Sequence, residues 1–190
     1  MFWKRESQIP WDEVGAELGK TLVKDADSMS HVLKKGLQDN LSEPGMPDFE
    51  GSRWRYEYCI FQMFWVWSFA NLPDMRKAGA TETLLDAYHK KAFLSMAEAG
   101  LVGTEKFEEM QAWERDCEER FLAYQQVVDN PPKLPTLNFT GTVGWVFARF
   151  LFPREEPNPH LTVLLTLAGH KVFLMLDKTI KSLEDTYSQK

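Results

Sequence analysis

The sequence is poor in cysteine, and its first ten residues do not match the pattern of a secretory signal. Only Cys59 and Cys117 occur among its 190 residues, and neither has a second cysteine or a histidine at zinc-ligand spacing. We interpret both as reduced thiols of the core. Residues 1–10 place charges where a signal peptide has an uninterrupted apolar run. We therefore expect a cytoplasmic protein that is held together without disulfides.

The sequence also lacks the basic excess of a nucleic-acid-binding protein. It has 28 acidic and 22 basic residues, for a formal charge of -6, and so it does not match the positive footprint that such proteins need. Residues 53–56 alternate arginines with aromatic rings, as single-strand binding surfaces do, but Asp48, Glu50 and Glu57 flank them and would repel phosphates. We expect no nucleic-acid partner.

The aromatic segment contains no hydrophobic run of membrane-spanning length. The uncharged run from Tyr58 to Pro73 is about sixteen residues and includes Gln62, Ser68 and Asn71, against roughly twenty residues for a transmembrane helix. We expect no integral membrane segment.

No strong catalytic motif occurs. The stretch closest to a phosphate-binding loop, Gly141–Gly144, lacks the lysine and the following hydroxyl residue. No serine, threonine or cysteine stands in a recognisable nucleophile signature. The sequence therefore favours a non-catalytic protein without a cofactor.

The pattern of apolar residues predicts an all-α protein. Apolar residues recur at steps of three and four, which is the spacing of one helix face. We predict about six helices in a single-domain bundle, 1–190, with the proline-rich segment 130–135 as an alternative point of division. A break at Asp25–Ser28 would split the first helix, and Thr140–Phe152 is compatible with a helix or a strand. The predicted helices cover residues 11–37, 52–71, 81–99, 104–128, 140–152 and 158–187.

The most unusual segment is the second helix, which concentrates large aromatic residues. It is apolar over most of its circumference, as is typical of a central helix. It has more apolar face than a single neighbour can cover, so part of it is expected to meet a partner or a ligand. The candidate binding residues are Trp54, Phe61, Trp65 and Trp113.

A candidate metal pair lies in the third predicted helix. Asp86 and His89 stand three residues apart, which places them on one side of the helix. Carboxylate-rich bundles use such pairs for iron or manganese, but they repeat the motif on a second helix, and this sequence does not. The alternative is a half-buried histidine with a local aspartate partner.

Ser30–Gly36 resembles the histidine motif of helical phosphotransfer domains, in which a surface histidine is followed by leucine, lysine and glycine. The resemblance covers seven residues, and an extra lysine separates Lys34 from Gly36. The alternative, which we favour, is an exposed His31 on a solvated helix face.

Four functional hypotheses follow from the sequence. The first is protein–protein association, most simply as a homodimer, since aromatic residues are enriched at interfaces. The second is an interhelical pocket for a small hydrophobic ligand. The third places Thr140–Phe152 on a membrane surface. The last is a metal-dependent helical-bundle enzyme that uses Asp86 and His89.

Overall fold

The chain forms seven α-helices. The computed structural model describes residues 9–104, 107–130, 142–153 and 158–188, and these ranges contain no β-strand. The predicted all-α bundle is confirmed, with one short helix more than expected because Pro73 begins a new helix where the second one ends. The helices are α1 (Trp11–Gly36), α2 (Ser52–Ala70), α3 (Pro73–Lys77), α4 (Ala80–Glu98), α5 (Phe107–Asp129), α6 (Val143–Leu151) and α7 (Pro159–Ser188).

Helix α2 is the central helix, as its composition predicts. It packs against α1, α4, α5, α6 and α7, and its side chains are buried on several sides. A helix surrounded in this way needs apolar residues around most of its circumference. The buried residues of α2 are Trp54, Glu57, Tyr58, Cys59, Ile60, Phe61, Met63, Phe64, Val66, Phe69 and Ala70.

Helix α1 is continuous, so the alternative of a break at Asp25–Ser28 is wrong. Its glycines allow an unusually close contact with α4. A β-carbon on Gly15 would lie 2.2 Å from the Leu84 carbonyl oxygen, and one on Gly19 would lie 2.6 Å from that of Tyr88. The residue numbers rise together on both helices, so α1 and α4 run in the same direction.

Helix α4 begins at Ala80, one residue before the predicted start at residue 81. Its N-terminal boundary is Gly79, whose φ of 67° lies in the left-handed region that glycine tolerates. The Thr81 hydroxyl, in the first turn of α4, donates a hydrogen bond to the Ala70 carbonyl oxygen at 2.7 Å. This bond ties α4 to the end of α2.

Helices α6 and α7 complete the core. The segment for which the sequence allowed either a helix or a strand contains helix α6. The Thr142 hydroxyl caps this helix by accepting a hydrogen bond from the Trp145 amide at 3.2 Å. Asn158 Oδ1 accepts from the His160 amide at 3.0 Å at the start of α7. Residues 131–135, which belong to the segment predicted as an alternative point of division, lie outside the described ranges. Helices before and after this segment contribute side chains to one buried hydrophobic cluster.

One stretch of α7, Pro159–Ser182, is long and apolar enough to cross a membrane by length and composition alone. It packs against α6 and α2, and 38% of its most apolar window is buried inside the protein. The core helix of a globular protein meets the same two criteria, so this stretch by itself assigns no membrane role.

Candidate functional site

Three of the four predicted binding residues lie in one aromatic cluster around α2. The Trp54 indole N–H donates to the Ser30 hydroxyl on α1, and the Trp54 ring meets Phe147 of α6 edge-on at 5.6 Å between centroids. The Phe61 ring lies 4.8 Å from the Phe147 ring. Both Trp54 and Phe61 are fully buried. These two side chains fill the core.

Trp65 and Trp113 are half-buried at contacts between helices. Trp65 packs on α7, where a β-carbon on Gly169 would lie 2.5 Å from the Trp65 indole nitrogen. Trp113 packs on α4, with its ring 5.0 Å from that of Phe93. The structure therefore brings Trp54, Phe61 and Trp65 together and leaves Trp113 apart from them.

A cavity of about 240 Å³ opens among α1, α2, α4 and α7. None of the four predicted residues lines it. We call this space the interhelical cavity. Its apolar lining consists of Leu18, Met29, Val32, Val66, Val172 and Leu176, and its polar lining consists of Asp25, Ser28, Tyr58, Gln62, Tyr88, Lys171 and Thr179.

Asp25 fixes the orientation of Gln62 at the inner wall of the cavity. The Asp25 carboxylate accepts from the Thr21 hydroxyl at 3.0 Å and from Gln62 Nε2 at 3.3 Å. Because the amide donates through Nε2, its oxygen must point elsewhere. Gln62 Oε1 is buried and has no hydrogen-bond partner among the described residues. The cavity wall thus contains an unused acceptor.

Tyr88 supplies an unused donor at the same cavity. Its hydroxyl is buried and has no hydrogen-bond partner in the described part of the chain. Burial raises the pKa of the Tyr88 hydroxyl well above its usual value, so the O–H group keeps its proton at neutral pH. Burial and, after it, the nearby charge of Asp25 also raise the pKa of Tyr58. Both phenols are therefore neutral.

Most of the surface that faces the cavity is apolar, although seven of its lining residues also carry a polar group. Small-molecule sites are concave and mostly apolar, with a small number of polar groups that orient the ligand. Gln62 Oε1 and the Tyr88 hydroxyl have almost no accessible surface, so they lie behind the surface that a molecule in the cavity would contact. The sequence offered one signal for this site, because Gln62 is a polar residue within an otherwise apolar segment.

The described residues place no third ligand beside the predicted metal pair. Asp86 is exposed and His89 half-buried, and the described residues contain no group of three or more histidine, cysteine or acidic side chains suited to a metal. Burial lowers the pKa of His89, and the Asp86 charge partly opposes this. Elemental analysis of protein purified without chelator tests metal binding directly.

The histidine motif of α1 lies on the surface. His31 is exposed, and the shallow depression beside it is lined by charged residues that pair with one another. Arg55 Nε donates to the Asp27 carboxylate at 2.7 Å, and the Lys34 ammonium pairs with Glu50. These pairs are typical of a solvated face, where ion pairs add little stability.

A buried ion pair joins α2 to α5. Arg120 donates from Nη2 to Glu57 Oε1 at 3.0 Å and from Nε to Oε2 at 3.2 Å. The Glu57 side chain is 4% exposed and that of Arg120 is 13% exposed. Burial by itself lowers the pKa of Arg120, but hydrogen bonding to Glu57 and the charges of Glu57 and Asp116 more than offset this. The pair is mutually satisfied, so we assign it a structural role.

Comparison with known proteins gives this chain no family. No protein-family model matches it, and searches of curated proteins and of solved structures found no match.

Proposed function

We propose that the protein binds a small, largely apolar molecule in the interhelical cavity. The observation that supports this most directly is an interhelical space of about 240 Å³ that lies against apolar side chains such as those of Leu18, Met29 and Val66. Covering apolar surface that faces such a space with an apolar molecule is favourable by about 25 cal/mol per Å². A ligand with an apolar body gains this free energy on entering the cavity.

The volume of the cavity sets the size of the ligand. An engineered apolar cavity of about 150 Å³ binds benzene. On that scale, a cavity of about 240 Å³ accommodates on the order of ten non-hydrogen atoms. Butylbenzene has this size and no polar group, so it is a suitable probe of the apolar lining alone.

The cavity has a route to solvent. Ser28, Val32, Lys171 and Thr179 are exposed lining residues, whereas Tyr58 and Tyr88 are almost fully buried. A ligand would therefore enter between α1 and α7 and reach inward toward the tyrosines. No helix needs to unfold for this entry.

Calorimetric titration with butylbenzene tests the proposal, and a cavity-filling variant tests the location. Val172 is half-buried and lines the cavity, so Val172→Phe is expected to fill it and weaken butylbenzene binding at least tenfold. Val163 is also half-buried on α7 but does not line the cavity. Val163→Phe is the matched control and should keep the wild-type affinity.

Two outcomes would contradict ligand binding at this site. The first is the absence of any heat or thermal shift with butylbenzene, since a ligand that binds the folded state must raise the melting temperature. The second is equal loss of affinity in both valine variants, which would mean that phenylalanine on α7 acts through general destabilisation.

Self-association remains a second proposal, supported by the exposed face of α7. Leu167 and Leu174 are 59% and 53% exposed and stand seven residues apart, so they lie on one helix face. Two exposed lysines, Lys171 and Lys178, stand beside them and make this face positively charged. The exposed face of α5 is negatively charged, because it bears Glu118 and Glu119 beside Leu122. A second copy could pair these oppositely charged faces twice about a twofold axis.

Analytical ultracentrifugation tests the association proposal. A dimer is expected, and Leu174→Glu should convert it to a monomer by placing a charge in the apolar contact. Leu94 on α4 is also exposed, and Leu94→Glu serves as the control that should remain dimeric. A wild-type monomer at high concentration would contradict the proposal.

A further inference from the structure

Helix α5 is the least buried of the long helices. Tyr124 is the one buried residue among its 23, all of which the structure describes. By contrast, α1 buries seven residues, and α6 buries five although it is only nine residues long. Parts of a protein with few buried apolar contacts open at a lower free energy than the core does. This difference makes α5 the long helix that separates most easily from the rest.

Aromatic rings on one side of α5 attach it to the central helix. The Phe121 ring lies 5.7 Å from that of Phe64 and 5.9 Å from that of Trp67. The Tyr124 ring lies 5.7 Å from that of Phe61 and 5.1 Å from that of Phe64. Helix α5 therefore covers three large rings of α2 while most of its own surface stays in contact with solvent.

The polar contacts between α5 and α2 oppose separation only weakly. Arg120 pairs with Glu57, and the Tyr56 hydroxyl donates to the Asp116 carboxylate at 2.6 Å. A buried ion pair adds little net stability, because burial removes the hydration of both charges. When the whole helix separates, Glu57 and Arg120 return to water together, and neither charge is left buried alone.

We propose that α5 is a strap, a helix that separates from α2 and α6 as one unit while the other helices stay folded. Opening of the strap uncovers the Phe64 and Trp67 rings of α2 and releases the half-buried Cys117 thiol into solvent. This conformational device is independent of the proposed ligand site, because no residue of α5 lines the interhelical cavity.

Amide hydrogen exchange of the full chain, measured by NMR, tests whether α5 opens as a unit. The amides in the middle of α5, such as those of Cys117 and Phe121, are expected to share one protection factor. This factor should be more than about tenfold below that of amides in the middle of α2. Equal protection of the two helices would overturn the proposal. A gradient of protection from the ends of α5 to its middle would also overturn it, because it would mean fraying.

Two conservative variants separate opening of the strap from unfolding of the whole protein. Leu22→Val shortens a fully buried side chain of α1, whereas α5 packs against α2 and α6. It should speed exchange in α2 and leave exchange in α5 unchanged, because α1 stays folded when the strap opens. Equal acceleration in both helices would mean that α5 opens only with the whole protein.

Phe121→Leu is the matched variant in the strap. It weakens the contact of α5 with Phe64 and Trp67, and this contact is lost both when the strap opens and when the whole protein unfolds. We therefore expect exchange in α5 and α2 to accelerate by the same factor. Acceleration in α2 alone would overturn the proposal, because it would mean that α5 opens without leaving α2.

The two cysteines give a second readout of the same opening. Burial raises the pKa of both thiols to about 12, so their different positions, and not their acidity, decide how fast they are modified. N-ethylmaleimide should modify Cys117, in Cys59→Ala protein, with the protection that the α5 amides show. In Cys117→Ala protein, the fully buried Cys59 of α2 should react only through global unfolding. Equal protection of the two thiols would overturn the proposal.

Discussion

The carbonyl oxygen of Leu84 lies 2.2 Å from the position that a β-carbon on Gly15 would occupy. Real β-carbons never approach a backbone oxygen so closely, so Gly15→Ala must push α1 away from α4. Backbone cannot move aside as a flexible side chain can. We expect the substitution to lower the free energy of unfolding by about 1–3 kcal/mol, the usual cost of overpacking. Urea titrations of both proteins measure this difference.

Gly36→Ala is the control for this prediction. Gly36 is also in α1, but its nearest neighbour would be the end of a side chain, Leu164 Cδ1, at 3.3 Å. Alanine gains about 1 kcal/mol over glycine inside a helix, and part of this gain applies at Gly36, the last residue of α1, so this variant should be neutral or slightly more stable. Equal destabilisation by both alanines would contradict the close contact between α1 and α4.

Loss of one partner of the buried ion pair should be costly. Glu57→Gln removes the negative charge that pairs with Arg120 and leaves one amide oxygen at position 57 as acceptor, besides the contacts of Arg120 to Asp116 and Glu119. We expect a loss of about 3 kcal/mol in unfolding free energy, the lower end for breaking a buried pair. The double variant Glu57→Leu with Arg120→Met should recover much of it. A double variant as unstable as the sum of both single variants would mean that the pair has no coupling.

Phe147 should behave as a core residue. Its ring contacts those of Trp54, Tyr58 and Phe61, and it is fully buried. Phe147→Ala is expected to lower the unfolding free energy by about 3–5 kcal/mol. Phe107→Ala should leave stability nearly unchanged, because the Phe107 side chain is 66% exposed. A small effect at Phe147 would place this cluster outside the core.

His89 should make stability depend on pH. Burial lowers its pKa below the usual 6.5, so the unfolded chain binds a proton more readily than the folded protein does. The corresponding stability is present above about pH 6.5 and is lost as the pH falls toward the lowered value. Unfolding free energies at about pH 7.5 and about pH 5.5 should therefore differ less in His89→Gln than in the wild type. His31→Gln, at an exposed position, is the control, and an unchanged pH dependence in His89→Gln would refute the prediction.

The sequence predicts the helices well because their apolar spacing is a local property. The central position of α2 follows from the same spacing, since a helix that is apolar on all sides must be surrounded. The continuity of α1 was less predictable. Gly15 and Gly19 weaken a helix in isolation, and only the approach of α4 explains why glycine stands at both positions.

The site was harder to predict because its residues are distant in sequence. The lining residues come from four helices, for example Asp25, Gln62, Tyr88 and Val172. No local pattern in the sequence indicates that they lie close together. The abundance of large aromatic residues led us to predict a binding site at α2. Burial of Trp54 and Phe61 in the core explains why such residues stand there. The pairing of Glu57 with Arg120 was not predicted, because the two residues lie 63 positions apart and both are largely buried in the structure.

The position of bound butylbenzene tests the central claim most directly. Isotope-filtered NMR spectra detect contacts between the unlabelled ligand and labelled methyl groups of the protein. We expect contacts to the methyl groups of Met29, Val66, Val172 and Leu176, which line the interhelical cavity. Contacts restricted to exposed residues such as Leu122 and Leu167, or none at all, would contradict ligand binding in this cavity.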